Sequence, residues 1–224
     1  MGTHAKPGRE LVRDGVYENL RLRLVSRSLT PGTRLNLVDL GRELHVSNTP
    51  IRRALERLEA EGLVTREPNR GFAASPLLDE RAITELYDYR LLLEPSAAAR
   101  AARGPHDALL DKLAELAPSP ELGELVDDPA AALALRERDF RFHTLIAQAA
   151  GNSVVAKYLT AALASMGPYT LYHDPAAITV AWEEHRKIVD AIRAGDADRA
   201  SDAMRVHLSQ ARLRLRNAVE RPVD

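Results

Sequence analysis

From residue 79 to residue 220 the chain never alternates apolar and polar residues as a half-buried strand does; its apolar residues recur every three to four positions. That period belongs to helices with one buried face. Helical stretches are predicted over 79–103, 106–117, 129–150, 153–166, 175–194 and 196–220. The breaks are Gly104-Pro105, Pro118-Ser119-Pro120, Gly151-Asn152, Gly167-Pro168 with Asp174-Pro175, and Gly195-Asp196, residues that end helices by conformational freedom or by a missing donor. Helices joined this closely pack antiparallel, so an all-α bundle of six is expected.

The first 75 residues read differently. Val12, Val16, Leu20, Leu24 and Val25 give an amphipathic helix, which Thr30-Pro31-Gly32-Thr33 is expected to stop. Leu37, Leu40 and Leu44 carry a short second helix; His45-Val46 leads to Ser47, an N-cap for a third helix that buries Ile51, Leu55 and Leu58. Pro50 is tolerated in that helix's first turn, and Gly62 closes it. Leu63–Arg66 and Gly71–Ala74 read as two strands joined by a polar turn. Ser75-Pro76 divides the chain. The expected fold is mostly α, with a winged helix-turn-helix over 1–75 and a helical bundle over 76–224.

With 224 residues, 45% of them hydrophobic, the chain is long enough to bury a core. No uncharged apolar run approaches the roughly 18 residues of a membrane span. With His4, Lys6, Arg9, Glu10 and Arg13 at the start no secretory leader is expected here, and the lack of cysteine excludes disulfides, thiolate metal sites and thiol catalysis. A cytoplasmic protein with no membrane partner is expected. The net charge of −1 conceals an asymmetry: residues 1–75 hold 13 basic and 9 acidic residues, the rest 18 and 23. A basic front and an acidic back point the front at a polyanion.

In a helix-turn-helix the second helix lies in the major groove with its first turn at the base edges. Here that turn is Ser47, Asn48, Thr49 and Pro50, with Arg52 and Arg53 one turn on. Asn and Arg suit bidentate contacts to adenine and guanine, hydroxyls suit phosphate. The tip Asn69-Arg70-Gly71 is placed to reach the minor groove. Arg57 and Arg66 read as solvated charges.

Of seven histidines, His4, His45, His106 and His173 fall in tails, turns or helix starts and are expected at the surface. Asp139 and His143, four apart, share a helix face. His185 and His207 lie ten residues before and twelve after the Gly195-Asp196 turn, hence at similar depth on antiparallel helices. Two readings follow: core histidines with satisfied hydrogen bonds, or a divalent cation site of three imidazoles and a carboxylate, suited to Zn, Ni or Mn.

Two strings of motifs carry a family resemblance. Pro31-Gly32-Thr33-Arg34-Leu35, Val46–Leu55, Leu58–Val64 and Arg70-Gly71 resemble the winged helix-turn-helix of GntR-family transcription regulators. The resemblance implies DNA contacts at Arg34, Ser47, Asn48, Thr49, Arg52 and Gly71, with Pro50 shaping the turn. Two positions depart from it: Asn48 stands where Arg is common and Arg53 where Glu is, which implies an altered operator half-site. Tyr87–Glu94, Asp139–His143, Gly151-Asn152, His185–Ile192 and Met204–Leu208 resemble the FCD domain of the FadR branch, in its six-helix, VanR-like and metal-binding form. That resemblance implies Asp139, His143, His185 and His207 as metal ligands and Arg90 as a holder of an acidic effector; by spacing alone Arg90 is the partner of Glu94 in an ordinary helical ion pair. Asn152 reads best as a helix cap, and Tyr87, Tyr169 and Tyr172 as pocket candidates.

The expected function is a transcription regulator, a repressor and no enzyme, binding a double-stranded operator as a homodimer under control of a small carboxylic acid at the metal. The alternatives are a metal-dependent hydrolase and a metal-ion sensor using the same residues.

Overall fold

The structure, a computed structural model, describes residues 7–67, 70–104, 107–116, 128–164 and 175–220, without the side chains of 7–14, 107, 129, 132, 175–176 and 219–220. It divides between Leu77 and Leu78 into two compact units.

In the first unit, α1 (Pro7–Val25) lays Val16, Tyr17, Leu20 and Leu24 onto α3 (Asn48–Ala60), which buries Ile51, Ala54, Leu55 and Leu58. The first helix stops at Val25, earlier than the expected Thr30–Thr33 turn, because Arg27 turns left-handed at φ 58° and Leu29 N–H closes on the Arg23 carbonyl. α2 (Leu37–Glu43) is capped by Asn36, whose Oδ1 accepts the Val38 N–H at 2.9 Å. His45, exposed and left-handed at φ 54°, turns the chain toward α3. After α3, Gly62 at φ +73° ends the helix.

β2 (Val64–Glu67) and β3 (Gly71–Ala74) form the expected hairpin, in register Val64↔Ala74 to Glu67↔Gly71. A third strand, β1 (Arg34–Leu35), pairs with the other edge of β3 and was not expected. Two residues are too few to show a period. The pairing buries Leu35 against the core and leaves Arg34 outward.

The second unit holds six helices among the described residues: α4 (Glu80–Ala101), α5 (Asp107–Leu116), α6 (Pro129–Ala149), α7 (Ser153–Ala164), α8 (Pro175–Arg193) and α9 (Ala197–Glu220). Each expected helical stretch is present. Asp79 caps α4, Asp128 caps α6, and Asn152 caps α7 by accepting the Val154 and Val155 N–H groups. α4 continues through buried Pro95, which deprives the Leu91 carbonyl of its usual donor. α9 packs along α4 and α8, and the turn between α8 and α9 uses Gly195 at φ +68°. The core of this unit gathers Leu135, Ile178, Ala181 and Trp182.

Two glycines of the first unit differ in what a methyl group would meet. A Cβ at Gly41 in α2 would stand 2.9 Å from the Val46 carbonyl oxygen, so α2 and the turn approach only because the side chain is absent. A Cβ at Gly15 in α1 meets nothing within 4 Å. Gly41→Ala is therefore expected to lower the protection of α2 and α3 against amide hydrogen exchange, by the equivalent of about 1–3 kcal/mol. Gly15→Ala is expected to raise protection by about 0.5–1 kcal/mol, the helix-propensity gain.

Candidate metal centre and nucleic-acid interface

The start of α3 is a polar edge on an otherwise packed unit. Ser47, Asn48, Thr49, Arg52 and Arg53 are all exposed, while Ile51, Ala54 and Leu55 between them are buried. Ser47 sits at the N-cap with extended backbone, and its hydroxyl makes no capping bond. Pro50 is the third residue of α3 and half-buried. Among the described residues neither Arg52 nor Arg53 has an ion-pair partner. Arg34 on β1 and Gly71 at the start of β3 are exposed, Gly71 at φ +86°. Pro68 and Asn69 lie outside the described residues.

Arg57 and Arg66 are exposed and each also lies over an aromatic ring. The Arg57 guanidinium covers the Tyr17 ring at 3.7 Å and its Nε lies 3.6 Å from Glu61, which accepts the Tyr17 hydroxyl at 2.6 Å. Arg66 lies over the Phe72 ring at 5.3 Å. Both remain exposed, as expected, with one face against a ring.

In the helical unit, α6, α8 and α9 bring Asp139, His143, His185 and His207 together in the interior. All four are buried, and one donor atom from each lies within 4.8 Å of the others. His185 Nε2 is 3.3 Å from His207 Nε2 and 3.4 Å from Asp139 Oδ1. His143 Nε2 is 3.7 Å from the same Oδ1. The matched depth expected for His185 and His207 is what joins them. His45 is exposed as expected; His4, His106, His173, Tyr169 and Tyr172 lie outside the described residues.

The imidazoles are held from behind. His143 Nδ1 donates to Glu94 Oε2 at 2.5 Å, and Glu94 Oε1 accepts Arg90 Nε at 2.5 Å. His207 Nδ1 donates to Glu184 Oε2 at 2.8 Å, and Arg214 grips both oxygens of Glu184, at 2.9 and 2.7 Å. The His185 ring stacks on Phe142, centroids 4.0 Å apart and 14° from parallel, with Trp182 beside it. Buried Tyr87 lies under the Arg90 guanidinium, 4.9 Å from it.

Electrostatics follow the pairings. Burial pushes Glu94 upward, but Arg90 and then His143 outweigh it and bring its carboxyl down to about 2. Burial likewise opposes ionisation of Asp139, yet His143, His185 and Arg90 hold it below the usual carboxylate range. His185 is kept neutral first by burial and then by His207; His207 is lowered by burial against the pull of Glu184. Burial also lowers His143, but the Glu94 charge overcomes it and raises that imidazole.

Asp139 Oδ1 and His143 Nε2 are buried without a hydrogen-bond partner. Orphaned buried polar atoms are rare and ask for a partner. Three imidazole nitrogens and one carboxylate oxygen around one point suit a divalent cation of borderline softness, so the residues fit a metal. Arg90 is committed through Nε to Glu94, the pairing its spacing predicts, although fully buried rather than solvated. Glu184 and Arg214 were not foreseen: Glu184 adjoins His185 in sequence, but nothing in a helical period marks it as a support for a histidine on another helix.

Residues 12–73 match the bacterial regulatory proteins of the gntR family, and residues 85–210 match the FCD domain. The chain is 27% identical to the HTH-type transcriptional regulator LutR of Bacillus subtilis, over 81% of this chain and 90% of that one. It is 28% identical to the gluconate operon transcriptional repressor of Bacillus licheniformis, over 76% and 68%. Its fold resembles that of McbR/YncC of E. coli, with a TM-score of 0.67 at 22% identity, covering 93% of this chain and 98% of that one.

The buried Arg90–Glu94 pair sets an expectation for stability. Arg90→Met leaves Glu94 charged and half-partnered in the interior, and chemical denaturation is expected to show a loss of about 3–5 kcal/mol. Adding Glu94→Gln removes the stranded charge and is expected to restore part of that loss.

Proposed function

We propose how this chain, a member of the GntR family of bacterial regulatory proteins with an FCD domain, is switched: a small carboxylic acid binds at a divalent cation held by Asp139, His143, His185 and His207 and changes its affinity for operator DNA. The chain is a DNA-binding transcriptional regulator, and its relatives are regulators rather than enzymes, which removes the hydrolase reading. One observation carries the proposal: four buried donor atoms within 4.8 Å, two of them orphaned, in the core of the unit that matches the effector-binding domain.

The cation, Zn, Ni or Mn, supplies positive charge and open positions for an oxygen ligand. The chain's own residues do the rest. Asp139 stays ionised beside its histidines, helped by the Arg90 charge, which is proposed also to favour an acidic effector. An acid is the reading favoured by the family resemblance and by a relative named for a gluconate operon, gluconate being a hydroxy acid. The same relative's name supports repression. The effector acts only through a difference in its affinity for the operator-competent and released states.

Asn48, Thr49, Arg52 and Arg53 are the proposed base and phosphate contacts of α3, with Ser47 and Pro50 at its start and Arg34 and Gly71 on the sheet. Regulators of this kind read two-fold operators as homodimers. Exposed Val154 and Tyr158, four residues apart on one face of α7, are the apolar residues proposed to meet a second copy. A protein that reads operator DNA works in the cytoplasm.

For DNA, Arg52→Ala is expected to weaken binding to a duplex selected from a random pool by about 1–3 kcal/mol, with relaxed preference at one base pair. Fluorescence anisotropy reads it, and unchanged affinity removes Arg52 from the interface. For the effector, thermal unfolding against a panel of small carboxylic acids is expected to show one class raising the midpoint. At a hundredfold excess over Kd the gain is about 2.7 kcal/mol. The shift is expected to vanish with a chelator and in Asp139→Ala. No shift with any acid ends the effector reading, and operator affinity that follows the metal alone makes the chain a metal sensor instead.

A further inference from the structure

We propose that Glu184 and Glu94 are positioning residues for the cation site: each carboxylate fixes one imidazole through Nδ1 so that its Nε2 faces the cluster. The inference rests on the reading of Asp139 and the three histidines as a cation site.

A neutral imidazole carries one N–H, and the partner of one ring nitrogen decides which nitrogen keeps its lone pair. His207 donates Nδ1–H to Glu184 Oε2 at 2.8 Å, and His143 donates Nδ1–H to Glu94 Oε2 at 2.5 Å. A proton held at Nδ1 leaves the Nε2 lone pair for the cluster, where His207 Nε2 and His143 Nε2 stand. Such outer partners raise the basicity of a ligand and fix its ring.

Neither carboxylate is free to turn. Arg214 engages both oxygens of Glu184, and Arg90 engages the Glu94 oxygen that His143 does not use. Glu184 Oε2 takes both the His207 proton and an Arg214 proton, so two positions of α9 seven residues apart close on one side chain of α8. That span is about 10 Å along a helix. The third imidazole supplies the contrast. His185 Nδ1 is buried with no hydrogen-bond partner, and on that side the ring is kept by stacking on Phe142 with Trp182 beside it. Two ligands are thus set by hydrogen bonds and one by packing.

The test uses the full chain and zinc alone, its affinity measured by competition with a chromogenic chelator, together with the visible absorption of the cobalt(II)-loaded protein. Glu184→Ala is expected to weaken zinc binding 10–100-fold and alter the cobalt bands. His207→Ala is expected to weaken it further, and the double variant to lose no more than His207→Ala alone, because Glu184 acts only through that ring. Wild-type zinc affinity in Glu184→Ala, or losses that simply add in the double variant, overturn the proposal. Where Glu184→Ala does not fold, Glu184→Gln keeps the volume and one acceptor. It is then expected to show a smaller loss in the same direction, and no loss and no spectral change there overturn the proposal too. Wild-type affinity in His207→Ala is a separate result: it overturns the cation site itself, and this inference with it.

Discussion

The helical unit depends on how it satisfies a polar group of side chains at its centre. Asp139, His143, His185, His207, Arg90 and Glu94 are all buried, and each would cost several kcal/mol if left without a partner in an apolar interior. Apart from the Arg90–Glu94 pair within α4, their partners come from different helices. Glu94 of α4 reaches His143 of α6, Glu184 of α8 reaches His207 of α9, and Asp139 of α6 meets His185 of α8. Apolar packing alone tolerates small slips between helices, whereas hydrogen bonds with fixed lengths do not. The hydrogen-bonded pairings therefore set the register of α4 against α6 and of α8 against α9.

How much of this was legible depends on the period of each signal. Asp139 and His143 sit one helical turn apart, and the Gly195-Asp196 turn allows depth to be counted outward to His185 and His207. Helical spacing thus marks a shared face and a shared level, which is enough to nominate the four residues. It does not mark what stands behind them. Glu184 and Arg214 lie beside apolar residues on their helices and look like solvated charges until the folded helices bring them to His207. Arg90 and Glu94 were visible as a pair four apart, but burial turns an interaction of about 0.3–0.5 kcal/mol at a surface into one whose rupture costs several.

The first unit shows the same limit at shorter range. Three helices and a hairpin announce themselves through apolar spacing and turn residues, while β1 has only Arg34 and Leu35 to speak for it. Its existence follows from the tertiary pairing with β3, not from local preference. Gly41 likewise looks like an unhelpful residue inside a helix; its reason is the carbonyl of Val46, which only the folded turn places 2.9 Å from where a side chain would begin. The left-handed His45 completes that turn, so the approach of α2 to α3 rests on two residues that propensity would discourage.

Helix α9 ties the buried cluster to the beginning of α4. His207 contributes to the buried cluster, while Arg212 and Arg216, further along the same helix, pair with Asp88 and Glu80 in the first half of α4. Arg214, between them, holds Glu184. A displacement of His207 would therefore reach directly the carboxylate that Glu184 shares between His207 and Arg214. Helix α4 starts three residues after the division between the two units, at Glu80. A packed interior responds to such a displacement by switching between discrete arrangements rather than by bending. On the proposed reading, an effector at the cluster acts by preferring one arrangement of α9 against α4, the difference in affinity that regulation requires.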